Sequence, residues 1–408
     1  MSPASTRRRA LVLGATAAAT VGLPRTVLAA DPIRIGTLAP MSGGGAPFGP
    51  EIADAHRRVV DLVNRSGGIN GRQILLVQEN SETNPETAIR AARKLVDVDK
   101  VCAVIGTWSS SVTLGIMPLC QEAGVIQMCT SAAVDIERRD RKGLVFNFQP
   151  LSPAWGKAIA SLAVRRNLKS YAVLALNNDF TLTMVEAFAA EVKAGGGRML
   201  GEPIIYNDNQ GSYRPEVAKV LGYKPDAVFV PGYVTDFTAV YRELYRSGYN
   251  GVVVTISAAT GTAFKQAVGA AANGILHGFP VPPVGSETYN AYLRFVGISP
   301  NGQVQNSIGC AAYDQINLLL LAIASAKTDA PAVVKEHLRR VANGPGTKVT
   351  TVAEGLAALQ RGQALDYVGA SSDVQFKPNS GTLVSRDFML YEIRDGKDSV
   401  IERVVSSS

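Results

Sequence analysis

The chain has 408 residues, too many for one hydrophobic core, so at least two domains are expected. Apolar residues make up 46% and charged residues 18%, which excludes a disordered chain. The net charge is +7, but Arg7, Arg8, Arg9 and Arg25 fall in the first thirty residues with no acid among them; without these four, 37 basic residues face 34 acidic ones, and no basic stripe remains to argue for nucleic acid.

The segment "STRRRALVLGATAAATVGL" is an arginine cluster before a mildly apolar run, and "TVLAAD" offers small residues for cleavage near Ala29 or Ala30. Residues 1–30 are therefore expected to be an export signal. The paired arginines suit a twin-arginine signal, and a general secretory signal is the alternative. Either predicts an exported, soluble, periplasmic protein. No later segment reaches the roughly 20 apolar residues of a membrane span. "INLLLLAIASA" (316–326) reads as a buried helix.

Strand-like and helix-like runs then alternate. "IRIGTLAP" is a strand and "EIADAHRRVVDLVNRSG" an amphipathic helix. "GGINGR" supplies a helix stop and tight turn through Gly67, Gly68 and Gly71. "QILLVQEN" is a strand. Asn84 is a candidate cap and Pro85 a first-turn proline for the helix in "NPETAIRAARKLVD". "VCAVIG", "SSVTLGIMPLCQEA" and "VIQMCTS" continue as strand, helix, strand. A second series follows "FNFQPLSPAW". Its strands are "SYAVLAL", "RMLGEPIIY", "DAVFVPG" and "GVVVTIS". Its helices are "TLTMVEAFAAEVKAG", "YRPEVAKVLG" and "DFTAVYRELYRSG". Prolines interrupt the pattern at "GFPVPPVGSETYN". Helices resume at "YDQINLLLLAIASA" and "APAVVKEHLRRVA", and "RDFMLYEIRDGKDSVIERVV" closes the chain as two β-runs around a turn. Short strands alternating with helices predict an α/β fold with parallel sheets covered on both faces.

Enzyme signatures are missing. His56, His277 and His337 lie far apart and fit no metal pattern, and no G-x-S-x-G elbow occurs. "GGGAPFGP" (43–50) lacks the residues of a phosphate cradle and reads as a cleft-edge loop. Cys102, Cys120, Cys129 and Cys310 fit no zinc spacing. A Cys102–Cys120 disulfide is conceivable in an oxidising compartment, but apolar surroundings favour buried free thiols. No cofactor and no metal site are expected.

Ligands of open α/β sheets collect where strands end and helices begin, and helix N-termini favour anions. The run Ser109, Ser110, Ser111 lies at such a junction beside Trp108, and the next junction adds Thr130 and Ser131. Simple capping would need one serine at each place; two adjacent hydroxyl-rich junctions point to a carboxylate pocket. Phe48, Phe180 and Tyr233 fall at other strand-to-helix turns and suggest apolar cleft walls.

The motifs "GTLAPMSGGGAPFG", "VNRSGGINGRQILLV", "AARKLVDVDKVCAVIGTWSSS", "GVIQMCTSAA", "PDAVFVPGY" and "AAYDQINLL", in this order over nearly all of the mature chain, resemble the branched-chain amino-acid-binding protein family, the periplasmic receptors of ABC importers. The resemblance implies the type I periplasmic binding fold: two doubly wound parallel-sheet lobes joined by three hinge crossovers, here near 150, 280 and 386. Lobe 1 is then 31–150 plus 281–385, and lobe 2 is 151–280 plus 386–408. It implies a monomer that hands its ligand to a permease and ATPase subunits, and Ser110 and Ser131 as carboxylate contacts. Ala133 stands where amino-acid binders carry a threonine that holds the ammonium, and the segment near Ser257 lacks their glutamate. The resemblance therefore implies a small carboxylate without an α-amine, an aromatic or apolar acid, as the ligand. A branched-chain amino acid is the alternative, which an acid such as Glu287 would support, and a sensory receptor is the alternative of another class. Tyr313 and Asp314 read as anchors of a buried helix, with Tyr313 able to reach the cleft. "ERRDRKG" (137–143) reads as a solvated face or a permease contact.

Overall fold

A computed structural model describes Met1, residues 31–300 and residues 306–407. The expected export signal, apart from Met1, lies outside the described residues.

The first series is β1 (Ile33–Ala39), α1 (Gly49–Arg65), β2 (Ile74–Asn80), α2 (Pro85–Arg93), β3 (Ala103–Thr107), α3 (Ser110–Ala123), β4 (Ile126–Cys129), α4 (Asp135–Arg139) and β5 (Val145–Asn147). Its five strands form one parallel sheet in the order β2-β1-β3-β4-β5. Asn84 caps α2 by accepting from the Thr87 N–H, with Pro85 at the first helical position. Gly67, Gly68 and Gly71 all have φ between +76° and +97°, which fits their turn role.

The second series is α5 (Ser152–Arg165), β6 (Ser170–Leu176), α6 (Asp179–Ala194), β7 (Arg198–Met199), β8 (Ile204–Tyr206), α7 (Arg214–Gly222), β9 (Ala227–Phe229), α8 (Val234–Arg246), β10 (Val252–Ile256), α9 (Thr262–Val268) and β11 (Leu276–Val281). The chain then returns to the first core with α10 (Glu287–Phe295), α11 (Ser307–Ala326), α12 (Pro331–Asn343), β12 (Thr347–Val349), α13 (Val352–Gln360) and β13 (Leu365–Tyr367), where β12 and β13 pair as a separate two-stranded parallel sheet, and ends in the hairpin β14 (Ser385–Arg394) and β15 (Lys397–Ser407). The second sheet runs β15-β14-β11-β10-β9-β6-β7, with β8 also beside β6. It is parallel except where β14 joins β11 and β15.

Two sequence expectations change. "RMLGEPIIY" is not one strand: Gly201, at φ +62°, and Pro203 split it into β7 and β8. The proline-rich "GFPVPPV" does not simply break the pattern, because its first residues finish β11. β10 ends at Ile256 opposite Gly278, two residues before Pro280, so that proline meets no β10 partner.

Two large cores follow the two sheets. One packs α1 and α11 on β1–β5; the other packs α5, α6 and α8 around β6, β9 and β10. α11 is long and apolar enough to cross a membrane, but its apolar stretch is wholly buried, which marks it as a core helix. Asp314 inside it accepts from the Tyr367 hydroxyl and from the N–H groups of Ala370 and Ser371, so it is an anchor. Tyr313 packs between Tyr292 and Phe295. The four cysteines are free thiols, and burial raises Cys102, Cys120 and Cys129 to about 12. In the run 137–143, Arg138 and Arg139 are exposed and pair with Asp135.

Candidate functional site

β3 turns into α3 through Gly106, at φ +89°. A Cβ there would meet Ile52 Cγ2 at 2.9 Å and His56 Cε1 at 3.0 Å, so only glycine lets the chain leave the sheet at this point. Trp108 and Ser109 follow, and α3 starts at Ser110. Ser109 occupies the cap position but makes no capping bond; its hydroxyl meets the Tyr233 phenol instead. The first-turn N–H groups of α3 are thus left without the usual side-chain partner. This separates the two sequence readings of the serine run, because capping is not what it does.

Ser110 Oγ accepts from the N–H groups of Ala132 (3.2 Å) and Ala133 (3.1 Å). Two acceptor bonds occupy both lone pairs of a hydroxyl. What remains is its O–H, a donor without an acceptor among the described residues.

Ser110 lines a cavity between the two sheets, together with Trp108, Thr130, Ala132, Gln149, Trp155, Phe180, Tyr233, Ala258, Phe279 and Ile308. The empty space is about 360 Å³, its open mouth included. The hydroxyl of Thr130 and both amide atoms of Gln149 are buried without a hydrogen-bond partner. Such groups are costly unless something satisfies them. They gather with Ser110 at the first-sheet end of the cavity. Trp155 sets its ring edge-on to Phe180 (5.2 Å) and Phe279 (5.5 Å), and Trp108 tilts against Tyr233 at 4.9 Å. Burial raises the Tyr233 phenol well above its ordinary range, so it stays a neutral donor. Among the described residues, no acidic or basic side chain lines the cavity.

The sequence-derived residues separate on this geometry. Trp108, Ser110, Phe180 and Tyr233 meet in the cavity wall. Phe48 stands one layer back, stacked on Trp108 at 5.0 Å. Ser109 is taken up by Tyr233. The Ser131 hydroxyl turns away, toward Thr113 Oγ1 and the Trp108 carbonyl, and Thr130 takes the wall position. Ala133 contributes its N–H to Ser110, while its methyl packs with Leu114, Met117 and Ile136. Ser257 also turns away: its hydroxyl meets His277 Nδ1 at 2.7 Å, and its neighbour Ala258 faces the cavity. Glu287 is far out in solvent, paired with Arg294. Sequence reading missed Gln149, Trp155, Phe279 and Ile308. Trp155 and Ile308 lie in first helical turns, the position already flagged elsewhere; Gln149 and Phe279 sit at crossovers, which carry no periodic signal.

The pattern of the periplasmic binding protein family matches residues 32–398. The Leu/Ile/Val-binding protein BraC3 of Rhizobium johnstonii is 26% identical over 244 residues, covering 59% of this chain and 65% of that protein. The chemotactic signal transduction system substrate-binding protein BasB of Halobacterium salinarum is 25% identical over 386 residues, covering 88% and 87%. Among solved structures, the substrate-binding protein LivJ of Streptococcus pneumoniae in complex with isoleucine superposes with TM-score 0.73 at 20% identity, covering 92% of this chain and 100% of that one. A solute-binding protein of an ABC transporter from R. palustris in complex with benzoate gives 0.72 at 18%, covering 92% and 97%. With its two doubly wound sheets and a cavity between them, the chain belongs to the periplasmic binding protein family and is a solute-binding receptor rather than an enzyme.

Proposed function

We propose that the protein is the exported receptor of an ABC importer and holds a small carboxylate without an α-amine, an aromatic or apolar acid. The ligand would lie between lobes made of 31–150 plus 281–385 and 151–280 plus 386–408, closing by a hinge motion. The observation that carries the reading is Ser110, whose two acceptor sites are filled and whose O–H is left for an anion. The uncapped start of α3, the unpaired Thr130 hydroxyl and the Gln149 amide add donors beside it. An ammonium group would find the Gln149 amide oxygen and hydroxyls but no carboxylate among the described lining residues, and burying it without an anion costs several kcal/mol. Benzoate in one fold neighbour and isoleucine in another have the carboxylate in common and differ in the amine.

Thermal shift and calorimetry with benzoate, 4-hydroxybenzoate, leucine and isoleucine test this. The acids are expected to stabilise the mature protein and the amino acids are not. Stabilisation by leucine alone would establish the second reading, which the naming of relatives as Leu/Ile/Val-binding proteins favours. BasB's place in a chemotactic system favours a sensory role for the same cavity; loss of ligand uptake on deletion of the gene would support transport instead.

A further inference from the structure

Arg386, the second residue of β14, is 3% exposed and sits where the chain re-enters the second sheet. Its Nη1 donates to the carbonyl of Phe148 at 2.9 Å and its Nη2 to the carbonyl of Ser307 at 3.3 Å. Its Nε is buried with no partner. Among the described residues no carboxylate pairs with it: the adjacent Asp387 is held by Arg403, and the buried Asp314 is committed to Tyr367, Ala370 and Ser371. A guanidinium stays protonated even where burial lowers its pKa. The guanidinium is therefore buried without a hydrogen-bonded carboxylate, and Asp314 and Asp387 compensate it only through space, which leaves it a costly charge.

Its hydrogen bonds tie it to the cavity wall. The two carbonyls that Arg386 holds belong to the residues just before Gln149 and Ile308, and both of those line the cavity. Gln149 has both amide atoms unpaired, and the Ser307 hydroxyl is unpaired too. Ile308 lies in the first turn of α11, where the helix does not satisfy its own N–H groups, and pulling on the Ser307 carbonyl polarises the peptide unit that ends in that N–H.

We infer that Arg386 adds to the countercharge of the ligand's carboxylate from behind the cavity wall, acting through space and through the 307–308 peptide unit, since the Gln149 N–H is already donated to Asn147 Oδ1, and so sets selectivity for anionic over neutral ligands. It is a positioning residue; the ligand touches the wall and never the guanidinium. The inference rests on the carboxylate reading above and deepens it. Because the same side chain ties β14 to the ends of two segments of the first sheet's half, the charge also sits at the crossovers, where closure brings the ligand in.

The test compares benzoate with benzamide, its neutral isostere, by calorimetry on the mature wild-type protein, Arg386→Met and Arg386→Lys. Arg386→Met is expected to weaken benzoate by about tenfold or more and to leave benzamide nearly unchanged, and Arg386→Lys is expected to recover part of the benzoate affinity. Equal losses for both ligands would mean that Arg386 only supports the fold and would overturn the inference. If Arg386→Met does not fold, the benzoate-to-benzamide ratio of Arg386→Lys, measured at low and high salt, decides; a ratio equal to wild type at both would overturn it. A wild-type protein that binds leucine and not benzoate defeats the ligand reading alone, and leucine against leucinamide then replaces the pair. A wild-type protein that binds no acid overturns both.

Discussion

Ser111 Oγ donates to Asp179 Oδ2 at 2.9 Å, joining the first turn of α3, which packs on the first sheet, to the first turn of α6, which packs on the second. Tyr233 reaches across the same gap: its ring meets Trp108 and its phenol meets Ser109. A Cβ on Gly44 would stand 3.0 Å from the Tyr233 ring. The two halves are in direct contact across the cavity mouth.

This contact is expected to bias the free protein toward closure. Removing it by Asp179→Ala costs the closed state about 0.5–1.5 kcal/mol, the worth of one hydrogen bond. Small-angle scattering should then show a larger radius of gyration for the ligand-free variant than for the ligand-free wild type. Identical scattering curves would show that the contact does not control closure. Gly44→Val, which places a branched side chain against Tyr233, should open the protein further.

Ser110→Ala removes the unshared O–H and leaves the Ala132 and Ala133 N–H groups without their acceptor. Affinity for a carboxylate should fall by about 10- to 100-fold, as for loss of a hydrogen bond to a charged group, and stability by about 1–3 kcal/mol. Calorimetry reads the first and thermal denaturation the second. An unchanged dissociation constant would place the carboxylate elsewhere.

The sequence has 2 tryptophans, Trp108 and Trp155, and both line the cavity. Ligand binding should therefore change the intrinsic fluorescence of the whole protein. Trp155→Phe and Trp108→Phe should each remove part of the change, and the double variant nearly all of it. A ligand detected by calorimetry that leaves the emission of both tryptophans untouched would lie outside this cavity.

Half-buried Glu51 and fully buried His56 set opposing pH trends. Burial raises Glu51 to about 8, against the N–H of Gly309 that it accepts from. An acid whose pKa is raised on folding stabilises below its unfolded value, and that contribution is lost as pH climbs from about 4.5 toward 8. Burial lowers His56 to about 3, so its neutral form is the folded one; stability is lost as pH falls from about 6.5, by about 1.4 kcal/mol per pH unit. His277 is shifted the same way by burial. Between pH 6.5 and 8 the Glu51 slope is unopposed by the histidines. Glu51→Gln, which keeps an acceptor for Gly309, should raise the melting temperature at pH 8, gain little at pH 4.5, and steepen the decline below pH 6.5. Parallel pH profiles for variant and wild type would contradict this.

Much of the architecture could be read from the chain because it rests on local periodicity. Val59, Val60 and Val63 give α1 its buried face, Asn84 and Pro85 start α2, and three glycines shape the turn at 67–71. The serine run pointed to the right junction, because a helix that follows a strand always presents unpaired N–H groups there. What the chain alone determined, then, is the alternation of strand and helix and the end of the sheet where a ligand collects. Only the tertiary structure decided which hydroxyl is free. Ser109, Ser110 and Ser131 are chemically alike; Tyr233, Ala132 with Ala133, and the Trp108 carbonyl sort them into different tasks, and none of these partners is near in sequence except the last of them to Ser109 and Ser110. Arg386 shows the same limit more sharply. Its acceptors lie 238 and 79 residues away. A buried charge without a hydrogen-bonded carboxylate is a property of three-dimensional surroundings, set by what burial excludes, and no pattern of neighbours along the chain records it.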